Sequence, residues 1–326
     1  MNNGSEHVDY ANLLDISCES VSYGVSLASR TWIHRGGIVG VWFSPQNTDE
    51  LIKIGRYLYG NNLPFDIIGH TSNLYFTNSY RPDFVIDTKK IKTIRYNGDT
   101  IICDCGVPTS FLAKNCINSG IQGLEGLINL PGTIAGAAVN NSSCYKCGIE
   151  QILVGIEVLM SDGNIQILHK NDMQYTHRCS AFKNKTLRGI ILRVFIDASH
   201  KQDIRILQRV AEENTLSRKH TQEPPIQNLG STFAHFVLKN NFRNFFIKVC
   251  YKLMRVCHLN KYKCNYYRKI VFLKLYHCSD IATYISNKNI GCYIWRDEFA
   301  DEKFPKYIKF MNSAFTKCQL EIEIKQ

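Results

Sequence analysis

The sequence predicts an α+β fold, in which helices lie beside mostly antiparallel strands. Asn97-Gly98 and Asp162-Gly163 each stand between two short apolar segments. Such dipeptides are typical of β-hairpins, which pair their strands antiparallel. The G-x-G-x-x-G motif of doubly wound dinucleotide-binding folds is missing from the chain, so a nucleotide would be held in another way. These observations favour segregated helices and strands over a doubly wound parallel sheet.

The remaining elements follow from apolar spacing and from helix-end signals. Acidic residues open a predicted helix at 48–60, and Gly60 closes it. Another predicted helix, at 108–120, has a proline near its start and a glycine past its end. The other predicted elements are a helix at 203–219 and strands at 39–43, 65–68, 84–87, 94–96, 100–103, 152–160, 165–168 and 189–196.

Length and composition are typical of an enzyme with more than one lobe. A chain of 326 residues exceeds what one core usually supports. Residues 1–20 lack a basic start followed by a continuous apolar run, so no signal peptide is predicted. We therefore expect a cytoplasmic protein, and we expect its thirteen cysteines to be reduced thiols.

Two glycine-containing segments are candidates for ligand binding. The segment 123–138 holds four glycines and one proline among small apolar residues. A loop of this kind can present backbone N–H groups to a flat or anionic ligand, although close packing of two backbones would also explain it. Residues 69–74 follow a predicted strand and combine glycine with serine and asparagine. Backbone donors and hydroxyls arranged in this way can converge on a phosphate.

These segments resemble the flavin and diphosphate loops of the UDP-N-acetylenolpyruvoylglucosamine reductases, flavoenzymes that make UDP-N-acetylmuramate for peptidoglycan. The resemblance covers about residues 30–235 and returns at the last few residues. It implies FAD as cofactor and NADPH as co-substrate. The residues that it implies for cofactor binding are Gly69, His70, Thr71, Ser72, Asn73, Leu74, Gly126, Pro131, Gly132, Thr133, Gly136 and Asn141.

The resemblance also implies a domain organisation. It predicts a two-lobed FAD-binding domain of the vanillyl-alcohol-oxidase/PCMH type, with lobes at 1–80 and 81–200. A smaller α+β substrate-binding domain would follow at 201–326.

Three further motifs resemble the catalytic motifs of the same reductases. Their reaction passes a hydride from NADPH through the flavin to an enolpyruvyl double bond, and it needs a cation beside the carboxylate and a proton donor. Arg178 falls on the arginine that polarises the carboxylate, and an arginine suits this role because its planar fork stays charged. Ser231 falls on the proton donor. Glu323 falls on the catalytic glutamate, with Glu321 as the alternative if the register differs by two.

The part of the sequence assigned to the substrate departs from the family. The resemblance assigns substrate contacts to Tyr145, Lys219 and His235, but His235 stands where the family has a different motif. His70 replaces a family glycine, and it or His34 could carry covalently attached FAD, as in some related flavoproteins. The leading prediction is reduction of UDP-N-acetylglucosamine enolpyruvate by NADPH. The alternatives are a flavin-dependent oxidoreductase of another sugar in surface polysaccharide synthesis, and a catalytically silent binding or scaffold protein.

The segment 239–274 departs most from the family. It contains ten lysines and arginines and no acidic residue, so it accounts for most of the net charge of +11. Apolar residues recur within it at helical spacing. A packed helix with a solvated basic face is one interpretation. Peripheral contact with an anionic membrane, an acidic partner or a phosphate-rich pocket are others. No nucleic-acid-binding motif accompanies the charge, so nucleic acid is not expected as a partner.

Cysteine spacing gives no strong metal signal. Cys144 and Cys147 form a single C-x-x-C, without a second such pair. Cys250, Cys257 and Cys264 recur every seven residues near His258, a spacing that matches no common zinc site. We interpret the first pair as incidental and the heptad as packing on a helix face, and we expect no metal.

Overall fold

The computed structural model describes residues 8–256 and 261–326, without the side chains of 254–256 and 261–264. Two compact units alternate along the chain. Unit 1 comprises Met1–Leu27, Ile38–His70 and Arg81–Thr215, and unit 2 comprises Ala28–Gly37, Thr71–Tyr80 and Leu216–Gln326. The division into lobes at 1–80, 81–200 and 201–326 stays a prediction.

The α+β class is confirmed. The helices are α1 (Tyr10–Leu14), α2 (Thr48–Gly60), α3 (Thr109–Asn118), α4 (Ile134–Val139), α5 (Ile149–Ile152), α6 (Ile204–Thr221), α7 (Phe242–Val256), α8 (Lys261–Leu275) and α9 (Ala300–Ala314). The strands are β1 (Val21–Ser26), β2 (Ile38–Phe43), β3 (Phe65–Ile68), β4 (Leu74–Phe76), β5 (Phe84–Asp87), β6 (Ile94–Asn97), β7 (Thr100–Asp104), β8 (Ser143–Cys144), β9 (Cys147–Gly148), β10 (Leu153–Met160), β11 (Ile165–His169), β12 (Gly189–Asp197), β13 (Phe233–Ala234), β14 (Val237–Leu238), β15 (Phe315–Thr316), β16 (Gln319–Leu320) and β17 (Glu323–Lys325).

One sheet of unit 1 has the strand order β1-β2-β5-β3. β1 pairs antiparallel with β2, whereas β2, β5 and β3 run parallel. Parallel strands of one sheet need a crossover connection, and α2 supplies the one from β2 to β3, which lie on either side of β5. The side chain of Asn47 caps α2 by accepting a hydrogen bond from the Glu50 N–H. The apolar face of α2, predicted from sequence, is fully buried.

The second sheet of unit 1 is antiparallel throughout, in the order β11-β10-β12-β7-β6. Both predicted hairpins are confirmed, with Gly98 (φ 56°) and Gly163 (φ 86°) in the left-handed conformation that the turns require. Leu159 and Ile190 of this sheet share one apolar cluster with α2. A Cβ atom at Gly55 of α2 would lie 2.6 Å from Leu159 Cδ2, so glycine allows this close packing.

Unit 2 is held together by an aromatic core and short strand pairs. Rings of Tyr293, Trp295, Phe304 and Tyr307 contact one another, with Tyr293 and Trp295 centroids 4.9 Å apart. β13 pairs with β16, β14 with β15, and β4 runs parallel to β17. The β4–β17 pair brings the end of the chain beside residues 71–80. No helix in the described part of the chain has both the length and the apolar character to cross a membrane.

The basic segment forms the helices α7 and α8. The interpretation of α7 as a helix that packs its apolar residues inward is wrong, because most of these side chains are exposed. The reason is that Asn244 and Ile247 occupy the inward face instead. Cys257 and His258 lie outside the described residues, as does the side chain of Cys264, so the heptad interpretation stays a prediction.

Candidate functional site

In unit 1, the two predicted cofactor loops meet at Gly69 and Thr133. Gly69 directly follows β3, and Thr133 caps α4, its Oγ1 accepting a hydrogen bond from the Gly136 N–H at 3.2 Å. A Cβ atom at Gly69 would lie only 2.6 Å from Thr133 Oγ1. Glycine is therefore needed at position 69, since any side chain would displace the cap of α4. Segments that are far apart in sequence form one glycine-lined surface here.

The loop before α4 is built around backbone that only glycine tolerates well. Gly132, after Pro131, has φ 123°, and its carbonyl accepts a hydrogen bond from the Thr109 N–H at 3.0 Å. A Cβ atom at Gly126 would lie 2.1 Å from the Cys144 carbonyl oxygen. Close backbone packing, the alternative reading of this stretch, is thus correct for Gly126, where the loop supports the β8–β9 hairpin.

Asn141 links the cofactor loop to the turn that carries Arg178. Its side-chain N–H groups donate to Glu150 Oε2 at 3.1 Å and to the Thr176 carbonyl at 3.0 Å. The Thr176 N–H donates to the Cys179 carbonyl and the Cys179 N–H donates to the Thr176 carbonyl, each at 3.1 Å, and these two bonds close the turn around Arg178. The predicted cofactor residue therefore fixes the position of the predicted catalytic arginine.

Arg178 lies half-buried in this turn, with a φ of 54°. Its Nη2 donates to the Ser143 carbonyl at 3.0 Å. Two residues of the same motif fasten the turn to the end of α4: Ser180 Oγ donates to the Val139 carbonyl at 2.6 Å, and Lys183 Nζ donates to Asn140 Oδ1 at 2.7 Å. The serine and lysine thus hold the arginine in place, a role that the sequence argument did not assign.

Residues 69–74 divide between the units, with Gly69 and His70 in unit 1 and the rest in unit 2. Burial and the nearby Lys89 lower the pKa of His70, which favours a neutral imidazole. Thr71 is almost fully buried and has a φ of 55°, a rare conformation for a β-branched residue. Its Oγ1 accepts from the Trp32 N–H at 2.8 Å and its carbonyl from the Leu74 N–H at 3.1 Å. These bonds hold the loop in its strained conformation.

Unit 2 brings the predicted glutamates to this loop. The Glu323 N–H donates to the Asn73 carbonyl at 2.9 Å, and Asn73 Nδ2 donates to the Glu321 carbonyl at 3.1 Å. Glu321 and Glu323 stand on either side of a bend at Ile322, between β16 and β17. Ile322 between them is buried.

Ser231 lies beside the same C-terminal segment. The Thr232 carbonyl accepts a hydrogen bond from the Glu321 N–H at 2.9 Å. Asn228 shapes the loop, because its Oδ1 accepts from the Gly230 N–H at 3.0 Å. Asn289 Nδ2 donates to Ser231 Oγ at 3.2 Å. Asn289 was missed from sequence, since nothing local marks it as a neighbour of Ser231.

The predicted substrate residues fall in different units. Tyr145 stands in the β8–β9 turn of unit 1. Lys219 is exposed in the last turn of α6, and its carbonyl accepts from Lys288 Nζ at 2.8 Å. His235 is exposed between β13 and β14, with φ 54°. All three assignments stay predictions. Within the described part of the chain, no cluster of three His, Cys, Asp or Glu side chains could hold a metal ion.

The residues of unit 1 fit a bound flavin nucleotide. Among the residues that the structure describes, three hydroxyls of this unit are buried without a hydrogen-bond partner, those of Thr109, Tyr145 and Tyr175. Buried polar groups are nearly always satisfied, so each of these points to a missing ligand or water. Thr109 is fully buried next to the Gly132 carbonyl that its N–H contacts. The glycine-lined surface and these hydroxyls together match a polar, flat ligand.

Comparisons with known proteins agree with this geometry. Residues 40–169 match the family model of the FAD binding domain. The UDP-N-acetylenolpyruvoylglucosamine reductase of Caldanaerobacter subterraneus is 29% identical over 198 residues, which cover 61% of this chain and 65% of that protein. The reductase of Anaplasma marginale is 28% identical over 213 residues, which cover 65% and 69%. The matched part thus spans about two thirds of these relatives.

A solved structure shows the same fold over most of the chain. The UDP-N-acetylenolpyruvylglucosamine reductase of Thermus caldophilus superposes with a TM-score of 0.66 at 18% identity, covering 93% of this chain and 98% of that one. The resemblance drawn from the sequence motifs is therefore confirmed. Residues 40–169 thus match the FAD binding domain model, and the chain is similar to the UDP-N-acetylenolpyruvoylglucosamine reductases.

Proposed function

We propose that this protein is an FAD-dependent reductase that uses NADPH to reduce the enolpyruvyl group of UDP-N-acetylglucosamine enolpyruvate, a step of peptidoglycan precursor synthesis. One observation carries the proposal. In unit 2, the C-terminal segment bonds to Asn73 of the predicted cofactor loop and to Thr232, next to the predicted proton donor. Three motifs that were assigned separately to cofactor, proton donor and glutamate thus become neighbours.

The cofactor would be held by the glycine-lined loops of unit 1. Gly69, Gly132 and Thr133 would contact it through backbone and hydroxyl groups, because a Cβ atom at Gly69 would displace Thr133 and Gly132 has a φ of 123°. Bound FAD would supply the hydride-transfer chemistry of the reduction.

Arg178 would bind the carboxylate of the enolpyruvyl group. The Nη2 of its guanidinium donates to the Ser143 carbonyl, and the turn that carries it has a strained backbone. Charge that develops on the carboxylate in the transition state would be stabilised by this fixed guanidinium.

Ser231 would deliver the proton. Asn289 Oδ1 accepts from the Gly291 N–H at 2.9 Å, which fixes the amide so that its Nδ2 donates to Ser231 Oγ. With a lone pair occupied in this way, the serine hydroxyl acts as a donor toward an electron-rich carbon. Glu323, or Glu321 if the register differs by two, would assist the enol form of the substrate.

The test is a two-part reaction of the purified protein under anaerobic conditions. The visible spectrum should show flavin bands that bleach on adding NADPH and return on adding UDP-N-acetylglucosamine enolpyruvate. A protein that neither contains nor takes up FAD would contradict the whole proposal.

Another sugar substrate is favoured by one observation, the exposed His235 where the family has a different motif. In that case NADPH would bleach the flavin, but the enolpyruvyl nucleotide would not restore it. Screening other nucleotide-sugars for reoxidation would then identify the oxidant, and reoxidation by the enolpyruvyl nucleotide alone would exclude this alternative.

A further inference from the structure

Helix α7 turns large apolar side chains outward instead of into unit 2. Asn244 and Ile247 form its buried side. Phe242 is 77% exposed and Leu253 is 59% exposed. The exposed apolar residues, here called the outer stripe, are Phe242, Phe245, Phe246, Val249 and Leu253.

The outer stripe is continuous. Its residues are three or four positions apart, and such positions are neighbours on a helix. Ring centroids of Phe242 and Phe246 are 4.8 Å apart, and those of Phe245 and Phe246 are 6.0 Å apart. Val249 and Leu253 extend the stripe by two turns. Proteins rarely expose contiguous apolar surface of this kind unless it contacts a partner or a membrane.

Contacts on the inward side fix which face of α7 points out. Asn244 Nδ2 donates to the carbonyls of Lys239 at 2.9 Å and Ala314 at 2.8 Å. The Arg268 guanidinium of α8 lies 4.9 Å from the centre of the Tyr251 ring. Rotating the helix to bury the outer stripe would break these contacts and expose Ile247, so the exposure of the stripe is a stable property of the fold.

Basic residues border the outer stripe on both sides. Successive residues of an α-helix are rotated by about 100°, which places Lys248 and Lys252 along one edge and Arg243 along the other. All three are exposed. The surrounding segment 239–274 has ten basic residues and no acidic one, so no neighbour in sequence neutralises them.

We propose that the outer stripe of α7 docks the protein on an anionic lipid surface. A helix with an apolar face flanked by lysine and arginine lies in the plane of such a surface, its apolar side chains inserted at the headgroup boundary and its cations among the anionic headgroups. In α7, basic residues flank the outer stripe on both sides, as this arrangement requires. The docking surface is separate from the residues assigned to reduction.

The charge pattern disfavours other occupants. A second copy docking by the same face would bring Lys248 and Lys252 against like charges, which is costly. Single-stranded nucleic acid stacks bases on aromatic rings, but Val249 and Leu253 offer no such rings over the last two turns of the stripe.

The experiment is co-sedimentation of the full chain with vesicles. One set contains equal parts of phosphatidylglycerol and phosphatidylcholine, and the other contains phosphatidylcholine alone. The protein should bind the anionic vesicles at least about tenfold more tightly, and added salt should weaken binding because it screens the charges.

Two double variants test the contribution of the cations and that of the outer stripe separately. Lys248→Glu with Lys252→Glu removes the cations of one edge, and Phe245→Gln with Leu253→Gln interrupts the stripe. Each should lower binding to anionic vesicles by about tenfold or more. The matched controls are Arg205→Glu with Arg209→Glu, and Ile206→Gln with Leu216→Gln, at exposed positions of α6. The first control reverses two basic residues and the second replaces two apolar residues by glutamine, as the α7 variants do. Both controls should bind anionic vesicles as the wild type does.

Four outcomes would overturn the proposal. These are equal binding to both vesicle types, equal loss in the α6 controls, tighter binding of a single-stranded RNA that the same α7 variants abolish, and a concentration-dependent dimer in analytical ultracentrifugation that the Phe245 and Leu253 changes convert to monomer. Flavin content and the NADPH reaction should be unaffected by the α7 variants, so this test is independent of the proposed reductase activity.

Discussion

Strained backbone marks several residues of the candidate sites. Thr71, Asn141 and Arg178 have φ values of 55°, 42° and 54°, although none of them is glycine. Such conformations cost free energy and persist only where surrounding bonds enforce them. Each of the three has such bonds, to Trp32, to Glu150 and to Ser143 respectively. The strain thus coincides with positions that the sequence motifs had singled out for ligand binding.

The contact of Gly69 with Thr133 gives a sharp test of the cofactor site. Gly69→Ala should weaken FAD binding by about tenfold or more, because its Cβ would displace Thr133 and with it the cap of α4. Fluorescence titration with FAD measures this. Gly60→Ala is the matched control, since a Cβ there has nothing within 4 Å.

A second variant tests whether loss of the α4 cap is the cause. Thr133→Ala removes the capping hydroxyl without adding an atom at position 69, so it should weaken FAD binding to a similar degree. Unchanged FAD binding in Gly69→Ala would contradict the placement of the cofactor at this contact.

Ser231 allows the proton-transfer step to be tested alone. Ser231→Ala should leave flavin reduction by NADPH near normal and slow reoxidation by substrate by about 10²–10⁴-fold. Stopped-flow absorbance measures both half-reactions. Ser313→Ala is a suitable control, because that hydroxyl is exposed and bonds only within α9, to the Lys309 carbonyl. Equal slowing of both half-reactions would mean that Ser231 has a structural role.

At the scale of elements, the sequence predicted those helices, strands and turns whose signals lie in neighbouring residues. The helix predicted at 48–60 and the strand predicted at 84–87 match the structure residue for residue. The hairpins at Gly98 and Gly163 also match, because their turns need a conformation that glycine provides. The orientation of α7 was not predictable, since it depends on contacts of Asn244 with distant parts of the chain.

Asn244 should therefore contribute strongly to the stability of α7. Its side chain donates to two carbonyls and accepts from the Tyr276 hydroxyl at 3.0 Å. Asn244→Ala would remove these three hydrogen bonds and should lower the free energy of unfolding by about 2–4 kcal/mol. Urea denaturation followed by circular dichroism measures it. Asn312→Ala, at an exposed position of α9, should change stability little, and an equal effect of the two variants would contradict this account.

At the scale of the whole molecule, the alternation of the two units along the chain could not be predicted from the sequence. Asn73 and Glu321 are 248 residues apart in sequence and yet hydrogen-bonded. Periodicity and turn signals extend over a few residues, so they carry no information on such pairings. The motif resemblance located the candidate residues, and only the fold revealed which of them are neighbours, such as Asn289 and Ser231.

Burial divides the cysteines into reactive and unreactive groups. Cys18 is exposed, whereas Cys105 in unit 1 and Cys292 in unit 2 are buried. Burial raises the pKa of Cys105 and Cys292 to about 12. Since the thiolate is the reactive form, a rise of about three pKa units lowers its concentration about 10³-fold, and burial adds a barrier to access. Iodoacetamide at pH near 8 followed by peptide mass spectrometry should label Cys18 before Cys105 and Cys292.

The same reagent in urea provides the control for this labelling. There all thirteen cysteines should react, because unfolding restores their ordinary pKa values and exposes them. Labelling of Cys105 in the native protein as fast as that of Cys18 would mean that the core of unit 1 opens readily. Protection of Cys105 and not Cys292 would instead place the more stable core in unit 1, which contains most of the residues that match the FAD binding domain model.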